Sequence, residues 1–567
     1  MKAALLRFQW MAARAAIGLG LACLPGEASA QSVNLILDKP GAGVCVAAVG
    51  LPPETDDVNN QPQGEVWIDI SESGRLAAAA KDNRFGPTND VSYNYRIWNG
   101  LYLSNDGERW RNFSFEDSTP DTGITGITDG SYGRPAGARL TLTHESDPVV
   151  AFDRDGVLYT SALAYEPAAL GDPSAVVVSR RSPDGSLLPG SIRLLALEND
   201  ERLFNDKNWL VVDRDAPSER AVVVASWRLF TVGPNAPAQE GGWIAVSGDG
   251  ARTFSIPIHL PVPAAEAAQS QFYQPLLGRD PVSGHKVLYV ILRSQAANGI
   301  SMHVVKADIE GLQGTVALES RLKDPSAWTF LASRLSGVTS YGASGYDGTF
   351  RFTSFFMPTI DLSTGRLFVV VHALDPSSRR AQALISRSTD GALTWSTPVP
   401  IDNPGKGNQL MPSVAARDGH VFAVWYDSRN DPDFAPLSAI RGVDVYAAAL
   451  DDTLRVERVT RLTPEVQRAD RPVFTRPRPV GASASTGERP HDFDPRAPSV
   501  KAAATPECVS ERYGFIGDYI GVTANAKEAW AAWTDLRDLV PSGDICAIGH
   551  SCDGNRNQSI RAMRIPR

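Results

Sequence analysis

Cysteine, methionine and histidine are scarce in this chain, at five, six and eight of 567 residues. No Cys-x-x-Cys pair, no His-Glu-x-x-His and no Gly-rich phosphate loop occurs, which removes the commonest zinc, metalloprotease and nucleotide signatures. Nothing supports Ser-His-Asp catalysis. Basic residues show no excess: 55 Lys and Arg face 64 Asp and Glu, a net charge of −9, with no basic cluster. That balance argues against nucleic acid as a partner. Beyond Leu24 no apolar run is long enough to span a bilayer as a helix.

What is present is the composition of a globular, turn-rich chain: 43% hydrophobic, 21% charged, with 48 glycines and 40 prolines. The N-terminus places Lys2, Arg7 and Arg14 ahead of an apolar stretch from Ala15 to Leu24, followed by Ala28-Ser29-Ala30. This order predicts a secretory signal over residues 1–30, cleaved after Ala30, and hence a secreted or periplasmic protein. Cleavage removes three basic residues and one acidic residue, bringing the net charge near −11. Four cysteines then remain, Cys45, Cys508, Cys546 and Cys552, an even number for an oxidising compartment. Three pairings are open. The short loop between Cys546 and Cys552 makes these the local pair and leaves Cys45 for Cys508, joining the N-terminal segment to the last repeat.

One octet recurs. Ser388-Thr389-Asp390-Gly391-Ala392-Leu393-Thr394-Trp395 is nearly repeated by Ser247-Gly248-Asp249-Gly250-Ala251-Arg252-Thr253-Phe254. Ser104-Asn105-Asp106-Gly107-Glu108-Arg109-Trp110 is one residue shorter, and Ser182-Pro183-Asp184-Gly185 is a reduced copy. Such a turn suits two antiparallel strands: Asp accepts from backbone N–H groups beyond it, Gly supplies positive φ, and the hydroxyls close the loop. A repeated turn implies a repeated supersecondary unit. The octet resembles the Asp box, Ser-x-Asp-x-Gly-x-Thr-Trp, of the sialidase-like β-propellers or BNR-repeat proteins, with Ala251 and Ala392 in place of the second glycine. The resemblance covers roughly residues 61–567 and implies an all-β propeller of four-stranded antiparallel blades. The box is a folding motif, so it leaves the chemistry open.

Seven pairs of apolar strands can be counted, beginning at Val66, Pro148, Trp209, Pro275, Met357, Pro412 and Tyr519. They predict seven blades, with the six of sialidases proper as the alternative. The last unit ends one strand short at residues 560–564, and Val33-Asn34-Leu35-Ile36-Leu37 is available to complete it. The whole of 31–567 is then one propeller, interrupted at about 468–505 by a Pro-, Arg- and Ser-rich insertion without periodicity.

Up-and-down strand order puts the Asp boxes on one face and leaves the other for function. On that second face lie Asp82-Asn83-Arg84, Asp427-Ser428-Arg429 and Asp535-Leu536-Arg537, each ending a second strand. The latter two belong to Trp425-Tyr426-Asp427 and Trp533-Thr534-Asp535, similar to the Trp-x-Asp-x-Arg element of BNR-repeat proteins. Arg84, Arg429 and Arg537 could grip a carboxylate or sulfate in bidentate fashion, or each Asp could pair with a neighbouring Arg and lock the blade edge. First strands start on the same face with Asp147, Asp206-Lys207, Tyr273-Gln274, Gln409 and Gly517-Asp518-Tyr519. Sialidases use a Tyr nucleophile assisted by a carboxylate, and the resemblance extends that pairing to Tyr519 and Asp518. Tyr95-Arg96-Ile97-Trp98 differs from the family's Arg-Ile-Pro string in carrying Trp where Pro is expected. His372 and His550 are further acid–base candidates, and Asp431 with Asp433 a weak Ca²⁺ candidate; no other cofactor is expected.

The expectation is an exported sialidase-like propeller, acting as a glycosidase on a glycan. Asp82, Asp206, Asp427, Asp518 and Asp535 are then acid or base candidates, Tyr519 nucleophile or binder, and Arg84, Arg429, Arg537 and Lys207 substrate-binding. The competing reading is a non-catalytic propeller that binds glycans or proteins. A monomer is expected in both cases.

Overall fold

Alternation of Val, Ala, Leu and Trp on both faces of each strand requires sheets buried on both sides, and stacking small sheets around an axis supplies that burial. The computed structural model describes residues 33–34, 63–82, 98–113, 144–165, 174–188, 190–198, 202–231, 241–296, 299–342, 351–438, 440–469, 477–478, 507–508, 516–537 and 559–566. They belong to one unit, Ser32–Arg567, and form seven four-stranded antiparallel blades. Innermost strands come first in each blade: Gln63–Ile70 in blade 1, His144–Phe152 in blade 2, Leu203–Val212 in blade 3 and Ser270–Arg279 in blade 4. Blades 5, 6 and 7 begin with Met357–Ile360, Gln409–Arg417 and Gly521–Ala524. Each innermost strand packs beside the next, and that of blade 7 packs beside that of blade 1, so the ring closes.

Closure uses the expected device. Val33 and Asn34 pair with Ala562 and Arg561 as the outer strand of blade 7, which removes an exposed sheet edge. Between blades the core is aliphatic: Val224, Ile244 and Val246 of blade 3 meet Leu288, Val290 and Leu292 of blade 4. Blade 6 carries an added short strand, Gln467–Arg468, and Pro477–Arg478, within the 468–505 segment, pairs with Glu507–Cys508 just beyond it.

The Asp boxes join third and fourth strands. Asp390 accepts from the Thr394 backbone N–H at 2.9 Å and from its hydroxyl, while the Ser388 hydroxyl accepts from Ala392 N–H at 3.0 Å. Asp249 repeats the pattern with Arg252 and Thr253. Trp395 packs into the cluster shared by blades 4 and 5, filling the gap between sheets. Blade 4 has no box; the helix Thr315–Leu322 stands there instead. In blade 6, Asp451 takes over, accepting from Thr453 and Arg455 N–H. The segment 1–30, Cys45, Cys546, Cys552, Arg84, His550 and Tyr95-Arg96-Ile97 lie outside the described residues, as do the side chains of Cys508 and Asp82.

Candidate functional site

Innermost strands start on the face opposite the boxes, and there they share a defect. In blades 1, 2, 3, 4 and 6 the ladder to the second strand skips a residue, between Gly64 and Trp67, Ser146 and Val149, Asp206 and Trp209, Gln271 and Gln274, and Leu410 and Ser413. Each is a β-bulge, two residues opposing one. The first bulge residue is Glu65, Asp147, Lys207, Phe272 or Met411, with φ of 54°, 50°, 52°, 56° and 51°. A side chain in this left-handed region costs roughly 1–2 kcal/mol, and bulges re-aim side chains next to active sites. The same device is used five times around the channel axis, which makes this mouth the candidate site.

Blades 7, 1, 2 and 3 fill the mouth with charge. Lys207 Nζ lies 3.1 Å from Asp147 Oδ2 and 3.8 Å from Glu65 Oε1, and donates to Asp518. Arg351 Nη2 reaches both oxygens of Asp518 at 2.8 Å. Gly517, at φ +93°, lets blade 7 approach Glu65: a Cβ there would stand 2.3 Å from the Glu65 nitrogen. The Ser146 hydroxyl is 3.1 Å from Glu65 Oε2 and 2.8 Å from Asp147 Oδ1. That hydroxyl has one hydrogen to donate, and it can accept from whichever of the two acids carries a proton.

Electrostatics assign that proton to Glu65. Burial, then the neighbouring Asp147, push its carboxyl up to about 7. Asp206 is raised to about 6, chiefly by burial, with Lys207 opposing. Burial also works against ionised Asp147 and Asp518, but Lys207 outweighs it in both, helped at Asp518 by Arg351, and both end below the ordinary carboxylate range. Burial disfavours the Lys207 ammonium, yet Asp147, Asp518 and Glu65 together carry it well above its ordinary value. Two carboxyls that hold their protons more tightly than usual thus stand beside two that release theirs more readily.

Below this cluster lies an aromatic floor. Tyr519 is buried, its ring edge-on to Trp67 and Trp209 with centroids 6.1 and 5.5 Å away, and its hydroxyl donates to the Pro148 carbonyl at 3.4 Å. Burial and then Asp147 raise its ionisation far above the phenol range. Phe272 stacks on Phe355 with centroids 3.6 Å apart. Under the floor a channel of about 170 Å³ continues toward the box face, lined by Trp67, Trp209, Pro275, Pro358, Val414 and Val522.

Of the residues expected from sequence, Asp206, Lys207, Asp518 and Tyr519 come together here, with Asp147. Asp427 and Asp535 do not join them. Asp427 is fully buried, accepts from the Trp425 indole at 2.8 Å and from Arg429 at 2.6 Å, while Arg429 also reaches Asp402 at 2.6 Å. Asp535 repeats this with the Trp533 indole at 2.9 Å and Arg537 at 2.8 Å. The Trp-x-Asp-x-Arg element is a clip that pins the end of a second strand. Asp82 closes its strand opposite Gln63. Asp431 accepts from the backbone N–H groups of Asp433, Arg441 and Gly442, and no metal-binding group of acids, histidines or cysteines occurs among the described residues. His372 donates from Nε2 to the Tyr341 carbonyl at 2.9 Å and accepts Met411 N–H at Nδ1; burial lowers it to about 4. It holds a bulge in place.

Sequence reasoning passed over Glu65 and Arg351. The usable signal was proline: Pro148 and Pro412 are second bulge residues, where a strand tolerates a missing donor, and aligning the other first strands on them places Glu65 beside Asp147 and Lys207.

No family model matches this chain, and no curated protein does. Among solved structures it is similar to a protein of unknown function from Dyadobacter fermentans, at 13% identity and a TM-score of 0.37, covering 89% of this chain and 95% of the other. An α-L-arabinofuranosidase from Fusarium graminearum in complex with an iminosugar inhibitor gives 11%, 0.38, 75% and 99%. A Trypanosoma rangeli sialidase in complex with 2,3-difluorosialic acid gives 12%, 0.38, 71% and 57%. Likenesses this distant carry no argument about the chemistry of this chain. Seven four-stranded blades with Asp boxes on one face are an architecture consistent with the sialidase-like propellers.

Proposed function

We propose that this chain is an exported propeller that hydrolyses a glycosidic bond at the Glu65–Asp147–Asp206–Asp518 mouth. The observation that carries the reading is the split among these acids around one ammonium: Glu65 and Asp206 raised to about 7 and 6, Asp147 and Asp518 lowered. Glycoside hydrolysis needs this pairing, a carboxylic acid to protonate the leaving oxygen and a carboxylate to support the positive sugar carbon or activate its attacker. Glu65 is the acid in this reading and Asp147 the carboxylate. Lys207 and Arg351 fix Asp518, and Tyr519 serves the floor. The exported state follows from the residue 1–30 signal and carries with it the Cys45–Cys508 and Cys546–Cys552 bonds, to be checked by peptide mapping without reductant. The mature chain is expected as a monomer in sedimentation.

A second reading has its own support. Asp518 is held by both Lys207 and Arg351, and Asp427 and Asp535 are held by arginines, as in a mouth that binds a glycan without cleaving it. Incubating the mature chain, residues 31–567, with a panel of fluorogenic glycosides that includes a sialoside separates the two. Turnover that drops on Glu65→Gln supports the hydrolase. Saturable glycan binding with no turnover of any glycoside supports the binder.

A further inference from the structure

Arg351 enters the acid cluster from across the mouth. It precedes the first strand of blade 5, Met357–Ile360, yet its Nη2 meets Asp518 of blade 7 at 2.8 Å. Fixing an arginine costs up to about 2 kcal/mol of rotamer entropy, so a reach of this kind needs backbone that is pinned beneath it. Residues 339–342 and 351–356 are pinned to each other: Tyr341 N–H donates to the Ser354 hydroxyl at 3.1 Å, and that hydroxyl donates back to the Tyr341 carbonyl at 3.2 Å. The Tyr341 and Phe352 rings stand 5.2 Å apart, and Phe352 is buried in the cluster that holds Leu410 and Met411. Gln274 of blade 4 donates to the Phe356 carbonyl at 2.8 Å.

His372 stands where these contacts meet. It lies on the second strand of blade 5, Leu367–Asp375, fully buried, with its ring 6.0 Å from that of Phe352. A carbonyl only accepts, so Nε2 carries the hydrogen given to Tyr341, and Nδ1 is left to accept Met411 N–H at 3.2 Å. Burial lowers its ionisation and keeps both roles in place at neutral pH. One neutral imidazole thus ties the bulge of blade 6, where Met411 has φ 51°, to the stretch that carries Arg351. An apolar ring would serve packing alone; two directed hydrogen bonds serve placement.

Asp518 is the common partner of Arg351 and Lys207, and Lys207 in turn meets Asp147 and Glu65. We infer that His372 is a positioning residue for the acid cluster: it clamps the stretch that carries Arg351, and Arg351 held in this way keeps a second cation at the mouth beside Asp518 and Lys207. The clamp stands on its own geometry, and its effect on catalysis rests on the hydrolase reading above.

Three variants divide the two bonds. His372→Gln keeps a donor near Nε2, His372→Asn keeps an acceptor near Nδ1, and His372→Phe keeps neither. Labelling of the mature chain with p-hydroxyphenylglyoxal, read by mass spectrometry against the exposed Arg458, reports whether Arg351 is held. Arg351 is expected to react about tenfold faster in His372→Asn than in wild type or His372→Gln, the fold-change of roughly one lost hydrogen bond. His372→Phe is expected to match His372→Asn, and if it does not fold the other two decide. Labelling alike in His372→Gln and His372→Asn overturns the clamp, whatever their melting temperatures. On a glycoside that wild type turns over, loss of the Arg351 cation should move the alkaline limb of kcat/KM to higher pH in His372→Asn and not in His372→Gln. The reason is that Arg351 favours ionised Glu65, which also faces Asp147, Lys81, Lys207 and Asp518. Fast labelling with an unmoved limb overturns the positioning role, while absence of turnover in wild type fails the hydrolase reading and leaves the clamp to the labelling result.

Discussion

At the scale of single residues, Glu65 combines two unfavourable features, a left-handed backbone and a buried carboxyl beside Asp147. Its raised ionisation has a definite sign in stability. Between its ordinary value of 4.5 and about 7 the folded chain holds a proton that the unfolded chain has released, so this group's contribution falls as pH rises through that window. Glu65→Gln should therefore gain stability over wild type at pH 8, on the order of 2 kcal/mol, and little at pH 4; equal differences at the two pH values in thermal melts would refute it. Asp147 and Asp518 act in the opposite sense, losing their contribution as pH falls below their ordinary 3.8. Lys207→Met leaves several buried acids without their ammonium and should cost about 3–5 kcal/mol at pH 7, readable as a lowered denaturation midpoint. Asp206, Lys207 and Asp518 were legible in the sequence because they open first strands on a face that topology alone identifies. Glu65 was not, because no charged neighbour or pair of flanking glycines marks the start of its strand, and only the folded ring brings its carboxyl beside Asp147 and Lys207. Arg351 sits outside any repeat.

At the scale of elements, the repeated motifs proved to be fastenings. The Asp boxes close hairpins and press their glycines against neighbouring turns: Gly391 has φ +69°, and a Cβ there would lie 2.0 Å from Asp280 Oδ2. Gly391→Ala should destabilise the chain by about 1–3 kcal/mol, more than the few tenths usual for a loop glycine, and thermal melts check it. The Trp-x-Asp-x-Arg clips can be tested in the same way. Asp535 is fully buried against Arg537 and Arg561, so Asp535→Asn removes a buried charge that both arginines meet and should cost about 3 kcal/mol, whereas an element that bound ligand instead would lose affinity with little change in the melt. The sequence showed these motifs in register but not which Asp met which Arg, since that pairing depends on side chains converging across the strand end.

At the scale of the whole molecule, seven blades and their closure were readable from counting strand pairs, because each blade needs the same apolar run twice. The inner ring holds Val66, Val149, Trp209, Leu277, Met357, Val414 and Val522 around one axis, and Val33–Asn34 fastens the last blade to the chain's start. A chain beginning at residue 38 should melt at a lower temperature and expose the edge of Ser559–Ile565, with faster amide exchange there than in blade 3; unchanged exchange would show that closure does not depend on this strand. A ring fastened in this way holds the acids of blades 1, 2, 3 and 7 in fixed relation, which is what a proton-sharing cluster requires. The most direct measurement of that cluster is the pH dependence of kcat/KM on a turned-over glycoside, for wild type and Glu65→Gln. Glu65 as general acid predicts a wild-type rate that falls above about pH 7 and a variant that stays folded but is slower by roughly 10²–10⁴-fold. A variant as active as wild type, with the same alkaline limb, would contradict it.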